Sequence, residues 1–231
     1  MTVTRRLHTP ELMDTEEVTA SDFAVCLQDL GTVNTITLAR RPTLLFLARA
    51  ACGVSGPMRV LDVGSGGGDM LRAVARWGCR HGVALELTGL DLNPHSTTAA
   101  LLSTPPELGI RYETGDLFGL DPHRRYDVVI SSLFAHHLPD VDVLRFLRWM
   151  EQTATRGWLV NDLQRSEVAA RGFALLAGAA GWHRFVRNDG PLSVRRAFAR
   201  TEWPRLLRAA GVPGRVRARF PFRLCVERLK P

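Results

Sequence analysis

The segment VLDVGSGGG at residues 60–68 restricts the possible folds of this chain more than any other stretch. Val60, Leu61 and Val63 predict a buried strand, and residues 69–80 have helical character. The glycines between them leave the backbone without side chains and allow the conformations of a tight turn. Backbone N–H groups in such a turn lie beside a helix N-terminus, which suits polar or negatively charged ligand groups. The segment therefore predicts a cofactor loop between a strand and a helix.

The spacing of this loop argues against a dinucleotide. The dinucleotide fingerprint G-x-G-x-x-G needs a third glycine at the position where this chain has Asp69. The chain instead has D-x-G-x-G-x-G at residues 62–68, with the carboxylate of Asp62 before the loop and that of Asp69 after it. These carboxylates would repel phosphates and attract a cationic amine and a sulfonium, as found in S-adenosylmethionine.

Three later segments follow in the order of a known family. They are the apolar run at 85–90 that ends in Asp91, the sequence Gly-Asp-Leu at 115–117 after a strand candidate at 110–113, and YDVVIS at 126–131. Together with the glycine loop, they resemble the class I (Rossmann-like) S-adenosylmethionine-dependent methyltransferases of the small-molecule type. The resemblance covers roughly residues 58–162.

The resemblance implies roles for individual residues. Asp91 would accept hydrogen bonds from both ribose hydroxyls, and such charge-assisted bonds are worth about 1.5–3 kcal/mol each. Asp116 would face the exocyclic amine of adenine, and the strand that ends at Ser131 would border the transferred methyl group. The cofactor-binding residues implied in this way are Asp62, Gly64, Ser65, Gly66, Gly68, Asp91, Leu92, Asp116, Leu117 and Ser131.

The alternation of strands and helices from residue 58 onward predicts an α/β fold with right-handed βαβ units. We expect a doubly wound, mostly parallel seven-stranded sheet, with a fifth strand at 158–160. A terminal β-hairpin is expected from strands at 215–220 and 222–228 that turn at Pro221. Asp140 is expected to cap the helix that follows the fourth strand.

Two additions are expected at the ligand-binding edge of the sheet. Residues 1–57 are predicted to form an N-terminal helical lid, with helices at 21–30, capped by Ser21, and at 42–52. The methyltransferase core would then span 58–231. A cap insertion at about 163–200 is predicted to contain a short helix at 167–180 and to cover the substrate, because connections of this length are usually functional. A packing helix followed by a surface turn is the alternative for this segment.

The residues after the fourth strand narrow the chemistry. Ser131 to Phe134 do not form the N/D-P-P-Y/F tetrapeptide of amino methylation, and the chain contains no Pro-Cys pair for cytosine methylation. No metal site is predicted, because Ser131 and the inverted pair Asn161-Asp162 replace the ligands of metal-assisted catechol methylation. The pair His136-His137 is predicted to be catalytic, since a histidine can take a phenol or enol proton. A structural role for both histidines is the alternative. The predicted substrate-binding residues are Phe134, Asp162, His183 and Arg187.

Composition and charge limit the partners. The chain has 231 residues and a formal net charge of +7, but Lys230 is its single lysine, so the excess of arginine can reflect composition bias. Nucleic acid is not expected as a partner, whereas an acidic carrier protein remains an alternative. The four scattered cysteines indicate neither a zinc site nor a disulfide framework. No apolar run reaches the roughly 18 residues of a membrane span, and we expect a cytoplasmic enzyme.

We therefore expect an S-adenosylmethionine-dependent methyltransferase that acts on a small acceptor, such as a phenolic, quinonoid or polyketide-like metabolite. Both O- and C-methylation are compatible with the residues. Two alternatives are an RNA methyltransferase that uses the basic late segment and a non-catalytic S-adenosylmethionine-binding regulatory module. The acidic residues at positions 62, 91 and 116 argue against the non-catalytic alternative.

Overall fold

A computed structural model describes residues 5–15 and 20–230. Its central sheet has seven strands in the order β3-β2-β1-β4-β5-β7-β6. Strands β1 to β5 pair in parallel, and β7 pairs antiparallel with both β5 and β6. The strands are β1 Met58–Val63, β2 Leu85–Asp91, β3 Arg111–Thr114, β4 Tyr126–Ser132, β5 Ala154–Leu163, β6 Arg215–Arg219 and β7 Arg223–Leu229.

The helices cover both faces of the sheet and its ligand-binding edge. They are α1 Leu12–Thr15, α2 Ala20–Ile36, α3 Arg41–Ala50, α4 Asp69–His81, α5 Pro94–Ser103, α6 Asp140–Thr153, α7 Glu167–Ala179, α8 Arg184–Arg196 and α9 Trp203–Ala210. Short 3₁₀ turns occupy Pro106–Leu108, Leu117–Gly119 and Ala135–His137. Among the described residues, no helix is both long and apolar enough to cross a membrane.

Two hydrophobic clusters, one on each face of the sheet, fix the positions of the strands. One face packs β4 and β5 against α6 and α9, and α6 buries Val143, Phe146, Leu147 and Met150 with helical spacing. The other face packs β1 against α3 and α4. Because the parallel strands are covered on both faces, their carboxyl ends meet at one sheet edge, where ligands bind in folds of this kind.

The predicted α/β fold with its mostly parallel seven-stranded sheet and terminal hairpin is confirmed. Several local predictions need correction. Asp140 is the first residue of α6 rather than its cap, because Pro139 occupies the N-cap position and no side chain caps the helix. Instead, the Asp140 carboxylate accepts a hydrogen bond from Arg6 at 2.7 Å. The strand β5 is much longer than predicted, and α2 extends well beyond residue 30. The side chain of Ser21, the predicted cap, lies outside the described residues.

The segment after β5 contains one more helix than the sequence indicated. The residues after α7, to which the sequence assigned no helix and the alternative assigned a surface turn, form α8, with Pro191 inside it. His183 caps this helix, since its Nδ1 accepts a hydrogen bond from Phe185 N–H at 3.4 Å. Asp189 then accepts backbone hydrogen bonds from Leu12 and Met13, which joins α8 to the N-terminal segment. The two additions at the ligand-binding edge are therefore packed against each other.

Candidate active site

The glycine loop connects β1 to α4 in the predicted place. Gly64, Gly66 and Gly68 all have positive φ, a conformation that most side chains make unfavourable. A Cβ atom on Gly64 would lie 2.6 Å from the ring of Phe134, so the loop and the segment after β4 pack closely. Gly66 N–H donates to Asp91 Oδ2 at 2.8 Å. The loop is therefore held against the end of β2 by the carboxylate that the sequence singled out.

Asp62 is the last charged residue before the loop and is buried beside it. Its Oδ1 has no hydrogen-bond partner among the described residues. Burial raises the pKa of Asp62 well above its usual value, and the carboxylates of Asp69 and Asp91 act in the same direction. Since a buried carboxylate without a partner is costly, Asp62 leaves room for a cationic or hydrogen-donating group at this edge of the cavity.

The His136 imidazole is oriented by a buried carboxylate. Its Nδ1 lies 2.7 Å from Asp162 Oδ1, and its backbone N–H donates to Asp162 Oδ2 at 2.9 Å. Burial opposes ionisation of Asp162, but the histidine and the backbone N–H groups of Leu163 and His136 together hold the pKa of Asp162 below its usual value. An ionised carboxylate only accepts hydrogen bonds, so Nδ1 carries a hydrogen and Nε2 is the ring nitrogen that can exchange a proton with a ligand.

The N-terminal segment contributes a second carboxylate, Glu11. Its oxygens lie 3.8 Å from Nε2 of His136 and 3.9 Å from Nε2 of His137. The ligand atoms of these three residues lie within 4.8 Å of one another, so the cluster has the composition of a metal site. Glu11 also accepts a hydrogen bond from Ser193 at 2.6 Å and faces the Arg196 guanidinium at 3.5 Å. This guanidinium already balances the carboxylate and disfavours a second cation.

Arg6 fixes the loop that carries the two histidines. Its guanidinium donates to the backbone oxygens of His136 and Leu138, both at 2.7 Å, and to that of Arg196 at 2.6 Å. It also lies over the ring of Phe198, 3.9 Å from the ring centroid. Burial lowers the pKa of Arg6, although Asp140 partly offsets this effect. One side chain thus holds the histidine loop and the end of α8 together.

A cavity of about 940 Å³ lies between these elements. The predicted residues that line it are Asp62, Gly64, Ser65, Gly66, His136 and His137. Other lining residues come from α2, α7 and α8, and they are mostly apolar, including Leu30, Val33, Phe173, Leu176 and Val194. The volume is typical of sites for cofactors and drug-sized ligands. The structure therefore brings the glycine loop and the histidine pair to a single cavity.

The other predicted residues lie around the cavity or away from its lining. Phe134 packs on Gly64, and Asp162 stands behind His136. Ser131 is buried and donates to Val63 O at 2.9 Å, which joins β4 to β1. Gly68, Asp91, Leu92, Asp116 and Leu117 surround the ends of β2 and β3, where Asp116 accepts a hydrogen bond from Phe118 N–H at 2.9 Å. His183 caps α8 and Arg187 is exposed, and neither lines the cavity.

The sequence analysis missed several charged residues of the site, among them Glu11 and Arg223. Glu11 is 125 positions from His136 in the chain, and the local sequence around it carries no motif. Arg223 begins a buried strand and is 2% exposed. An arginine within a run of apolar residues is unusual, and this is the sequence feature that could have identified it as a site residue. The cavity is also lined by Leu133, whose φ of 56° is unusual for a residue with a branched side chain.

Comparison with known proteins agrees with this architecture. The model of a family described as a methyltransferase domain matches residues 37–212. Two curated relatives are the ubiquinone biosynthesis O-methyltransferases of Bradyrhizobium diazoefficiens, 30% identical over 148 residues, and of Paramagnetospirillum magneticum, 33% identical over 85 residues. The matches cover 58% and 36% of this chain and 54% and 32% of those proteins. The chain thus matches about half or less of the length of these relatives.

A solved structure of similar size has the same fold. The S-adenosylmethionine-dependent methyltransferase from Aquifex aeolicus superposes with a TM-score of 0.62 at 18% identity, covering 91% of this chain and 98% of that one. The family match spans most of the chain and includes the glycine loop and the histidine pair. The chain therefore belongs to the methyltransferase-domain family and has the fold of the class I, S-adenosylmethionine-dependent methyltransferases.

Proposed function

We propose that this enzyme transfers a methyl group to a hydroxyl oxygen of a small phenolic, quinonoid or polyketide-like acceptor. The observation that carries the proposal is the His136 imidazole at the cavity wall, with its Nδ1 held at 2.7 Å by the buried Asp162. This arrangement provides a proton acceptor at the carboxyl end of β4. The names of the two curated relatives, both O-methyltransferases, favour oxygen over carbon as the methylated atom.

The chemistry assigns a task to each residue. S-adenosylmethionine supplies an electrophilic methyl group when it is bound. His136 Nε2 takes the proton of the acceptor hydroxyl as the bond from oxygen to the methyl carbon forms and the bond from carbon to sulfur breaks. Asp162 keeps the imidazole in the correct tautomer and stabilises the imidazolium that results. The aliphatic and aromatic lining lowers the polarity around the reacting oxygen, which strengthens these electrostatic interactions.

The residues of the glycine loop fit the cofactor. The positive φ of Gly64 and Gly66 opens the backbone to close approach, and the unpartnered Oδ1 of Asp62 would accept from the ammonium group of the methionine moiety. Asp91 accepts one hydrogen bond on each oxygen, from the N–H groups of Gly66 and Asn93. Because a carboxylate oxygen accepts two hydrogen bonds, each oxygen can accept one more from a ligand. We assign Asp91 to the ribose and Asp116, with Leu117 beside it, to the adenine.

The two additions to the sheet enclose the acceptor in this proposal. Residues 1–57 act as a lid and residues 163–200 as a cap over the core. The contact between Glu11 of the lid and Ser193 of the cap, at 2.6 Å, supports a joint closure over the histidines. A cavity lined mainly by aliphatic and aromatic side chains favours a free small molecule over RNA or an acceptor bound to a carrier protein.

A methyl-transfer assay tests the proposal. The enzyme is incubated with S-adenosylmethionine labelled in the methyl group and with separate panels of phenols, bulk RNA and acyl carrier protein. We expect label in one or more small phenols and products that show one additional methyl group on oxygen by mass spectrometry and NMR. Transfer to RNA at a rate comparable with that to the phenols would overturn the proposal.

A further inference from the structure

Arg223, the first residue of β7, carries a buried charge that the proposed reaction does not use. Its side chain lines the same cavity, and the residue is 2% exposed. The Nη2 atom donates to Thr37 Oγ1 at 3.2 Å, but Nε and Nη1 have no hydrogen-bond partner among the described residues. Burial lowers the pKa of Arg223 to about 10, so the guanidinium remains charged at neutral pH. Buried donors of a charged group are costly when they remain unpaired.

The other arginines that line the cavity are already engaged. Arg40 pairs with Asp69 at 3.0 Å and also donates to a backbone oxygen. Arg72 donates to Gly67 O at 2.6 Å and to Thr104. Asp162 attracts the charge of Arg223, but its oxygens accept hydrogen bonds from His136 and from the N–H of Leu163 and none from Arg223. The planar fork of Arg223 is therefore available for an anion from outside the protein.

The sheet order places the start of β7 nearer to the end of β4 than to the end of β1, although the charge of Asp69 beside the glycine loop also acts on Arg223. Arg223 pairs in register with Leu163 of β5, one residue beyond Asp162. Strand β7 lies two positions from β4, which leads to His136, and three from β1, which leads to the loop. At about 4.8 Å between neighbouring strands, these separations are about 10 Å and about 14 Å. A separation of about 10 Å between these two strands leaves room for an aromatic ring with one polar group at each side.

We propose that Arg223 binds a carboxylate of the acceptor, so that the substrate class is a small hydroxylated aromatic acid held between Arg223 and His136. The unpaired N–H groups of the guanidinium donate to the carboxylate, and the hydroxyl at the opposite side of the ring faces His136 Nε2. This proposal rests on the proposed function for the identity of the reacting hydroxyl. The carboxylate site itself can be tested by binding alone.

The test compares para-hydroxybenzoate with its methyl ester, which has nearly the same shape and no charge. Binding of each is measured by calorimetry in the presence of S-adenosylhomocysteine, so the result does not depend on turnover. We expect the native enzyme to bind the acid about tenfold or more tightly than the ester, because a charge-assisted pair with a buried arginine is lost in the ester. Equal affinities, tighter binding of the ester, or binding of neither compound would overturn the proposal.

Variants then assign the effect to the residue. Arg223→Met should remove the preference for the acid, and Arg223→Lys should restore part of it. Arg40→Met is the matched control, because Arg40 lines the cavity with its charge already paired, and the acid-to-ester ratio should stay as in the native enzyme. If Arg223→Met instead weakens S-adenosylhomocysteine as much as the acid, the guanidinium serves the methionine carboxylate of the cofactor and the proposal is wrong. Methylation of neither compound, with the acid preference intact, would count against the proposed hydroxyl chemistry alone.

Discussion

Replacing Asp162 by Asn tests the proton-acceptor role of His136. The carboxylate accepts hydrogen bonds from His136 Nδ1–H at 2.7 Å, from the His136 backbone at 2.9 Å and from Leu163 N–H at 2.7 Å. The amide has almost the same shape, but it carries no charge and has one NH₂ group that donates. When that group faces the ring, Nδ1 must accept and the hydrogen moves to Nε2. The imidazole then cannot take a proton from the acceptor.

The magnitude follows from this change of tautomer. A positioned general base contributes about 10²–10⁴ in rate, so we expect kcat to fall by a factor in that range. One charge-assisted hydrogen bond is also lost, which should lower the free energy of unfolding by about 1.5–3 kcal/mol at neutral pH. The native pKa of Asp162 is depressed, so its contribution is present above the unfolded pKa and is lost as pH falls through the folded pKa. The native enzyme should therefore lose more stability in acid than Asp162→Asn does.

The assay measures methyl transfer to a phenolic acceptor over a range of pH, together with the affinity for S-adenosylhomocysteine. Asp127→Asn is the control, because Asp127 also accepts a backbone N–H, from Arg59 at 2.7 Å, but lies at the amino end of β4 away from the cavity. We expect unchanged cofactor affinity in both variants and loss of turnover only in Asp162→Asn. The loss should shrink at high pH, where the phenol ionises without a base.

Native turnover in Asp162→Asn at neutral pH would show that His136 does not need the carboxylate, since the amide carries no negative charge to stabilise the imidazolium. A loss that is equally large at every pH would point to a structural role of the hydrogen bonds instead. Proximity of the acceptor to the methyl group would then be the main source of the rate.

Three further results are expected. Gly64→Ala should weaken S-adenosylhomocysteine binding and lower the melting temperature, because the new Cβ would overlap the neighbouring phenyl ring, and calorimetry with a thermal scan measures both; native values would contradict the loop geometry. Treatment with a metal chelator should leave turnover unchanged, since Arg196 already balances Glu11, and a loss that is restored by added metal would show that the cluster binds an ion. Thiol labelling at pH 8 should modify two cysteines in the folded protein and four after unfolding, because burial raises the pKa of the other two to about 12, and mass spectrometry of peptides identifies them. The exposed cysteines are Cys52 and Cys79, and the buried ones are Cys26 and Cys225.

The parts of the fold that local patterns determine could be predicted from the sequence. The apolar strand and the glycines at residues 60–68 identify β1 and its loop, because buried strands and positive φ place strict demands on residue type. The hairpin at Pro221 and the helical spacing of α6 follow in the same way. The helix α8 was missed because Gly190 and Pro191 indicate a turn locally. Burial of Phe185 and Val186 against the N-terminal helices outweighs that local preference.

Site residues could be predicted only where they lie next to one another in a recognisable segment of the sequence. His136 and His137 are adjacent to a strand end that the sequence identifies, whereas Glu11 reaches them from the N-terminal segment through tertiary packing. Asp162 was expected to contact the substrate, but it is buried behind the His136 ring and binds Nδ1. This differs from the expectation because β5 extends beyond its apolar run and includes Asp162. The position of Arg223 at the cavity depends on the pairing of β7 with β5, and no local sequence pattern specifies that pairing.

The role of His136 as proton acceptor in O-methylation is tested most directly by methyl transfer from S-adenosylmethionine to para-hydroxybenzoate. The native enzyme and His136→Gln are compared, and the product is identified by mass spectrometry and NMR. We predict an O-methylated product from the native enzyme, turnover at least 100-fold lower in His136→Gln at neutral pH, and equal affinity of both proteins for S-adenosylhomocysteine. The same rate of O-methylation by the two proteins would contradict the account, and so would a product methylated only on carbon.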